Sequence, residues 1–198
     1  MLGIAFSTKA NFGLSMIAAG PYILHVWLRD TFAWFTQGTA EYFYEALFLL
    51  ILCIVVKEFK LKFLLTFAEA FFSGLIIDGW FFLLGGNGPY GTLQMRIVSY
   101  VLGLAICTLG VAFFFRTDLP LQVYDFAVVK IADVYHFEQR KVKQVIDIIM
   151  FMVSLMFSLL LTHKLTGIGI GTVLTTILNS TIINLWGKLI DRAENNNA

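Results

Sequence analysis

The stretch "GVAFFFRTDLPLQ", residues 110–122, interrupts a long apolar run with an arginine, an aspartate and a proline. It aligns without a gap on "GIAFSTKANFGLS", residues 3–15, so that Lys9 matches Arg116 and Gly13 matches Pro120. Proline lacks the N–H that continues a helix and glycine permits irregular backbone, so each stretch is where we expect a helix to end. The two stretches are predicted to be equivalent structural breaks in two copies of one unit.

Two further blocks extend this match along the chain. Gln37 aligns with Gln139 in one block, and "TFAEAFFSGLIIDGW" (66–80) aligns with "TVLTTILNSTIINLW" (172–186) in the other. The three blocks are collinear, at shifts of 107, 102 and 106 residues, which is typical of an internal repeat. The sequence therefore predicts two repeats, residues 1–88 and 89–198, within one compact membrane domain.

The composition is that of an integral membrane protein. Of 198 residues, 59% are hydrophobic and 14% are charged, against roughly 25% charged in a soluble domain, and the mean hydropathy is +0.81. The apolar stretches near the roughly 20-residue length of a membrane span are 38–56, 63–85, 97–115, 145–162 and 165–187. None alternates apolar and polar residues as a barrel strand does. We expect an all-α membrane protein with about five or six spans, plus short broken or interfacial helices.

Each repeat consists of a helix ending at a break, a short helix and two spans, which makes three crossings. An odd number of crossings places consecutive repeats upside down relative to each other, as in many secondary transporters. Lys and Arg residues support this topology, because ten fall on one predicted side and four on the other, and cytoplasmic loops carry the excess. We therefore expect a multi-pass protein of the plasma membrane with a cytoplasmic C-terminus. Only eight residues precede Lys9, so either the first crossing is short or residues 10–28 insert instead.

Two kinds of residue are candidates for a substrate or ion site. Carboxyl groups inside spans cost about 2.5 to 3.5 kcal/mol at the helix centre and usually face a cavity or a partner. Broken helices in inverted-repeat transporters form the binding site with their free ends. The candidates from both arguments are Asn11, Ser15, His25, Glu45, Glu69, Asp118, Gln122, Asp125 and Asp147, with Gly13 and Pro120 as structural breaks. Glu41 and Asp147 are the weakest candidates, because both lie within about a turn of the start of a span and can reach the membrane interface.

Each candidate has a structural alternative. The breaks can lie at the membrane surface, with residues 122–136 as an interfacial amphipathic helix. The buried acids can be hydrogen-bonded groups that only hold helices together, and a histidine such as His25 is more often a packing residue than a proton carrier. The sequence alone leaves both interpretations open.

The sequence lacks the motifs of a soluble enzyme. It has no phosphate-binding glycine loop before a helix, no cluster of His and Cys with metal-ligand spacing and no Ser-His-Asp set. "GIGIG" (167–171) opens a span, where small residues let helices approach closely. We expect no enzymatic activity, no cofactor, no metal site and no nucleic-acid partner.

Several stretches resemble a known family. "STKANFGLSMIAAGPYILHVWL", "FTQGTAEYFYEALFLLILCI" and "FFSGLIIDGWFFLL" in the first repeat, with "KVKQVIDIIMFMVSLMFSLLL" and "GIGIGTVLTTILNSTIINLW" in the second, are similar to the YczE/YyaS/YitT group of bacterial membrane proteins. The resemblance covers nearly the whole chain. It implies a polytopic membrane protein with a transport-related role.

Three functions fit these features. The leading hypothesis is a small transporter for an organic solute, coupled to protons or another ion, with its site between the two repeats. The alternatives are a membrane protein that regulates a partner without transporting, and the substrate-binding subunit of an energy-coupled uptake complex. The expected partners are the lipid bilayer and a small-molecule solute, with a second copy of the chain or another membrane protein as further candidates.

Overall fold

The fold is a bundle of eight α-helices. The computed structural model describes residues 1–60, 63–114, 116–117 and 122–195, except for the side chains of residues 64, 140, 180, 194 and 195. In chain order the helices are α1 (Leu2–Ala10), α2 (Met16–Leu28), α3 (Gln37–Val56), α4 (Phe63–Leu83), α5 (Leu93–Phe114), α6 (Val123–Tyr135), α7 (Gln139–Thr162) and α8 (Ile170–Asn195). These residues contain no strand, which confirms the all-α prediction.

Four of the helices, α3, α4, α5 and α7, are long and apolar enough to cross a membrane within the described part of the chain. The bent helix α8, whose two halves meet at 42°, makes a fifth if it counts as one span. Helix α2 is apolar but too short to cross alone. The chain is therefore a multi-pass helical membrane protein.

The first predicted break lies between α1 and α2. Helix α1 ends with Asn11 in the left-handed conformation at φ 53°, and Gly13 follows at φ 110°. The Ser15 side chain then accepts a hydrogen bond from Ala18 N and caps α2. Polar and flexible residues thus end one helix and begin the next, as the sequence predicts.

The loop before α8 covers this break. Leu14 N donates to Gly167 O at 2.9 Å, and Gly171 N donates to Phe12 O at 2.7 Å. A Cβ on Gly13 would lie 2.5 Å from Thr172 Oγ1, so only glycine permits this approach. The backbone groups freed by the break are therefore paired with protein and are not left open to a solute.

The start of α8 differs from the prediction. The apolar pattern predicts a span from Leu165, but the helix begins at Ile170. Gly167 has φ 73°, and the Ser158 hydroxyl donates to Lys164 O at 2.6 Å, which holds the preceding residues in a turn. The second predicted break, with Asp118 and Pro120, lies outside the described residues; α5 ends before it at Phe114 and α6 begins after it at Val123.

Small residues bring two pairs of helices into close contact. Helix α1 packs on α5 where Gly3 meets Gly103, and a Cβ on Gly3 would lie 2.7 Å from Gly103 O. Helix α3 packs on α4 where Gly38 meets Gly74, and a Cβ on Gly38 would lie 2.0 Å from Gly74 O. Neither pair of helices can approach this closely with a larger residue.

Helix α6 begins inside the protein. Its apolar side packs on α3, α4 and α7 and buries Val123, Tyr124, Ala127, Val128 and Ala132. Toward its C-terminal end Asp133 and His136 are exposed, and the Tyr135 hydroxyl donates to Val55 O at 2.8 Å, near the end of α3. Protein, and not lipid, covers the buried side of α6.

Candidate functional site

A polar stripe runs along the buried side of α3. Gln37, Glu41 and Glu45 are spaced four residues apart and so lie on one helical face over about 12 Å. Their exposed fractions are 0%, 3% and 7%. Among the described residues, both polar atoms of Gln37 and the Oε2 atom of each glutamate have no hydrogen-bond partner. Buried polar atoms are nearly always paired, so this stripe is a site where a ligand, water or a proton is to be expected.

Helix α4 adds a third carboxyl group to the stripe. One oxygen of Glu69 accepts a hydrogen bond from the Ser73 hydroxyl at 2.6 Å, while the other is buried without a partner. The side chain of Gln122, at the start of α6, lies within reach of Glu69. The backbone N–H of Val123 likewise lies beside the Glu45 carboxyl group. The positive end of α6 therefore points at the acids of α3 and α4.

Helices α6 and α7 supply the polar groups on the other side. The Tyr124 hydroxyl donates to Asp147 Oδ1. Lys143 Nζ lies 3.8 Å from Asp125 Oδ1 and 4.6 Å from the centre of the Tyr124 ring. Burial raises the pKa of Asp125, and the nearby Lys143 ammonium opposes this shift. We call Gln37, Glu41, Glu45, Glu69, Gln122, Asp125 and Asp147 together the acidic site.

A small cavity lies within the acidic site. It measures about 10 Å³, close to the minimum that holds one water molecule. Its walls come from α2, α3, α6 and α7, and are formed by Ile17, Pro21, Glu41, Tyr44, Glu45, Phe48, Tyr124 and Met150. Glu41 and Glu45 supply the only carboxyl groups among these lining residues. One side of the cavity is therefore acidic, and the rest is apolar or aromatic.

A larger cleft lies at the C-terminal ends of α2 and α4. It has a volume of about 420 Å³, within the range of small-molecule sites. Its lining residues are His25, Arg29, Ala33, Phe35, Thr36, Asp78, Phe81, Phe82, Gly85, Gly86 and Asn87. Thr36 caps α3 immediately before Gln37, so this cleft, which we call the outer cleft, ends one residue before the polar stripe.

Asp78 and His25 have structural roles in the outer cleft. Asp78 Oδ1 accepts from Gly38 N at 2.9 Å and Oδ2 accepts from the Thr36 hydroxyl at 2.5 Å, which ties α4 to the start of α3. His25 Nδ1 lies 2.9 Å from Phe35 O and its Nε2 lies 3.0 Å from Asn87 Nδ2. Both ring nitrogens are partnered, as expected of a packing histidine.

The structure brings together five of the residues that the sequence singles out. Glu45, Glu69, Gln122, Asp125 and Asp147 all lie in the acidic site. These residues come from both predicted repeats, so the site lies between the two halves of the chain.

Three other candidates lie elsewhere and have structural contacts. Asn11 is exposed, and its backbone oxygen accepts from Arg96 at 2.9 Å. Ser15 caps α2, and His25 lies in the outer cleft. Asp118 and Pro120 are outside the described residues.

Sequence reasoning misses Gln37, Tyr44 and Tyr124. Gln37 is the first residue of its helix, where polar residues are common. Its spacing of four residues from Glu41, and of eight from Glu45, nevertheless indicates that the three side chains share one helical face. No pattern marks the two tyrosines. Over the part of the chain that the structure describes, no group of three or more His, Cys, Asp or Glu side chains is placed to hold a metal ion.

Comparison with known proteins identifies the family but not a function. A family model described as "Family of unknown function (DUF6198)" matches residues 1–188. The chain is similar to the uncharacterized protein YyaS of Bacillus subtilis (strain 168), with 25% identity over 194 residues that cover 96% of this chain and 88% of YyaS. No solved structure matches the chain. The resemblance to YyaS-like proteins is confirmed.

Proposed function

Since the chain belongs to the DUF6198 family, whose function is unknown, we propose a function from the geometry of the acidic site. The protein is a small transporter of the plasma membrane that moves an organic solute, coupled to an ion or to protons. The solute enters at the outer cleft, and the acidic site couples its passage to the ion. One observation carries this proposal: the glutamates of α3 and α4, each with one buried oxygen unpaired among the described residues, meet the N-terminal end of α6 from the other half.

Energetic cost supports a functional role for these carboxyl groups. An unpaired polar group in an apolar interior costs roughly 1 to 3 kcal/mol in proteins, and an isolated charge costs far more. Glu41, Glu45 and Glu69 each leave one buried oxygen without a partner. A protein that needed only to hold helices together would satisfy these atoms or replace them with apolar groups. A role in binding accounts for the cost, because a ligand or proton then supplies the missing partner.

Helix packing supports an inverted repeat around this site. If α1 to α4 correspond to α5 to α8, a pseudo-twofold axis relates most of the observed contacts in pairs. Under this correspondence the contact of α1 with α5 maps onto itself. Three other pairs of contacts are equivalent: α2–α7 and α6–α3, α1–α4 and α5–α8, and α2–α3 and α6–α7. Such repeats place the substrate near the membrane midplane at their interface, which is where the acidic site belongs in this arrangement.

The two halves differ at two contacts, since neither α3–α4 nor α4–α6 has a counterpart of comparable extent among the described residues. The first of these differences fits alternating access. Helix α3 packs closely on α4 through Gly38 and Gly74, whereas α7 makes no comparable contact with α8 among the described residues. In transporters of this plan, one repeat rocks against the other around a fixed site. We assign this asymmetry to one conformational state of such a transport cycle, in which α3 and α4 are packed together and α7 and α8 are apart.

Transport by the purified protein alone tests the proposal. A thermal-shift screen of organic solutes first identifies compounds that stabilise the protein, and uptake of those compounds is then measured in proteoliposomes. We expect uptake above that of empty liposomes, and its loss in the double variant Glu41→Gln/Glu45→Gln. Glu58→Gln is the matched control, because Glu58 lies in an exposed ion pair with Lys60 and Lys130. Ligand binding without any uptake would favour a binding subunit or a regulatory partner instead.

A further inference from the structure

We propose that the coupling ion is a proton and not a metal cation, and that Glu45 and Glu41 carry it. This inference rests on the proposed function, since it names the ion used by the same site. It follows from the size of the cavity, the groups that line it and the charges that surround it.

The cavity is too small for a partly hydrated metal ion. Its volume of about 10 Å³ corresponds to about one water molecule. A sodium ion in a transporter is typically held by unwound backbone carbonyls and the C-terminal ends of half-helices. Helix α3 is continuous from Gln37 to Val56, so its carbonyl groups at Glu41 and Glu45 lie within a regular helix.

The other groups around the cavity also suit a proton better than a metal. Helix α6 presents its N-terminal end, with the Val123 N–H beside Glu45, and N–H groups bind anions and not cations. The Tyr44 hydroxyl is directed to Met150 Sδ at 3.7 Å, and the Tyr124 hydroxyl is bonded to Asp147. Neither tyrosine is free to complete a metal's coordination shell.

Pro21 offers a partner for a protonated acid. It lies inside α2 and cannot donate a hydrogen bond to the carbonyl of Ile17, four residues earlier. Both residues line the cavity beside Glu41 and Glu45. A protonated glutamate has an O–H to donate, whereas an ionised one has only acceptors. The Ile17 carbonyl, which lacks its helical partner, is therefore the acceptor assigned to the protonated form, and the Val123 N–H is the donor for the ionised form.

Glu41, Glu45 and Glu69 have no side-chain cation beside them in the described part of the chain, and the Met1 ammonium, whose charge acts on Glu41 and Glu69, forms no ion pair with either. On the elements packed around the cavity, α6 and α7 contribute Asp125, Asp147 and Lys143, and Lys143 is placed beside Asp125. On α2, the His25 ring is bonded to Phe35 and Asn87 in the outer cleft, and the Tyr22 ring lies beside Gly167. No ion pair within the described residues involves the three glutamates, and protons are the neutralising species that the cavity can hold.

Infrared spectroscopy and ion-gradient experiments together test this inference. The carbonyl stretch of protonated carboxyl groups is recorded for the protein in lipid bilayers as pH is varied, with and without sodium. We expect a band that titrates with pH, is unaffected by sodium and is lost in Glu45→Gln. Glu58→Gln should retain it. If Glu45→Gln folds poorly, Glu45→Asp is used instead; it keeps a titratable group and should show a pH-dependent band.

Solute uptake then separates failure of this inference from failure of the proposed function. We expect a pH gradient to drive uptake at equal sodium on both sides, and Glu45→Gln to reduce this component to the level of empty liposomes. Uptake driven by a sodium gradient at equal pH would overturn the proton assignment and leave the transporter intact. A titrating Glu45 band without uptake of any solute would overturn the transporter and leave the proton site. Absence of a titrating band would also overturn the inference.

Discussion

The close contact of Gly38 with Gly74 should stabilise the packing of α3 on α4, and Gly38→Ala tests this. The added Cβ would lie 2.0 Å from Gly74 O, so the helices must separate by roughly 1 to 2 Å to reach ordinary contact. Overpacking of this kind costs about 1 to 3 kcal/mol. The separation also stretches the bond from Gly38 N to Asp78 Oδ1, and a hydrogen bond to a charged group contributes about 1.5 to 3 kcal/mol.

These terms set the expected size of the effect. Alanine is a better helix former than glycine by about 1 kcal/mol, so the net loss of stability is about 1.5 to 5 kcal/mol. At about 2 to 4 °C per kcal/mol for a chain of this size, Tm should fall by roughly 3 to 20 °C. Thermal unfolding of the purified protein in detergent, followed by tryptophan fluorescence, measures it.

Gly79→Ala is the matched control for this prediction. Gly79 lies in α4 as well, and a Cβ there would meet no atom within 4 Å. Its Tm should stay the same or rise slightly. Gly74→Ala, whose Cβ would lie 2.6 Å from Gly38 O, should behave like Gly38→Ala. Equal Tm values for the Gly38 and Gly79 variants would show that the close contact of α3 with α4 does not stabilise the protein.

Three further predictions concern the topology, an ion pair and the first break. Single cysteines at Gly88 and Asn196, in a chain without its native cysteines, should label oppositely with an impermeant reagent on intact cells; equal labelling would contradict inverted repeats. Lys130 chiefly lowers the pKa of Glu58 from 4.5 to about 2. The ionised form of Glu58 therefore stabilises the fold fully above pH 4.5. The Tm difference between wild type and Glu58→Gln should shrink as pH falls toward 2, and a pH-independent difference would refute this. Gly13→Ala should lower Tm, because the added Cβ would collide with Thr172 and the backbone at Gly13 has a φ of 110°. Gly88→Ala should not lower Tm, since a Cβ on Gly88 would meet no atom within 4 Å. Equal losses would mean that the break is not tightly packed.

The sequence reveals the helices of this fold because its signals are local. Apolar runs mark the spans, and the polar residues near Asn11 mark where α1 ends. The start of α8 is predicted too early, at Leu165, because hydropathy does not register the turn at Gly167. A turn made by a left-handed glycine and a serine hydroxyl looks, in composition, like the beginning of a span.

The acidic site is only partly predictable because it depends on contacts across the chain. Intramembrane acids such as Glu45 and Glu69 are costly and therefore visible in the sequence. The entry of α6 between α3, α4 and α7 is not visible, since an amphipathic pattern looks the same whether protein or lipid covers its apolar face. For the same reason the sequence does not reveal that Gln37 lacks a partner.

The pairing of the first break with the loop before α8 has a consequence for synthesis of the protein. Phe12 O accepts a hydrogen bond from Gly171 N, and Leu14 N donates one to Gly167 O; residues 167 and 171 leave the ribosome after most of the rest of the chain. Until then these two backbone groups lack the partners they have in the fold, and unpaired backbone groups are costly inside a bilayer. The N-terminal helices therefore reach their final arrangement only when the last span has inserted. A chain truncated after α7 should be recognised as incomplete by membrane proteases, even though its first seven helices are all present.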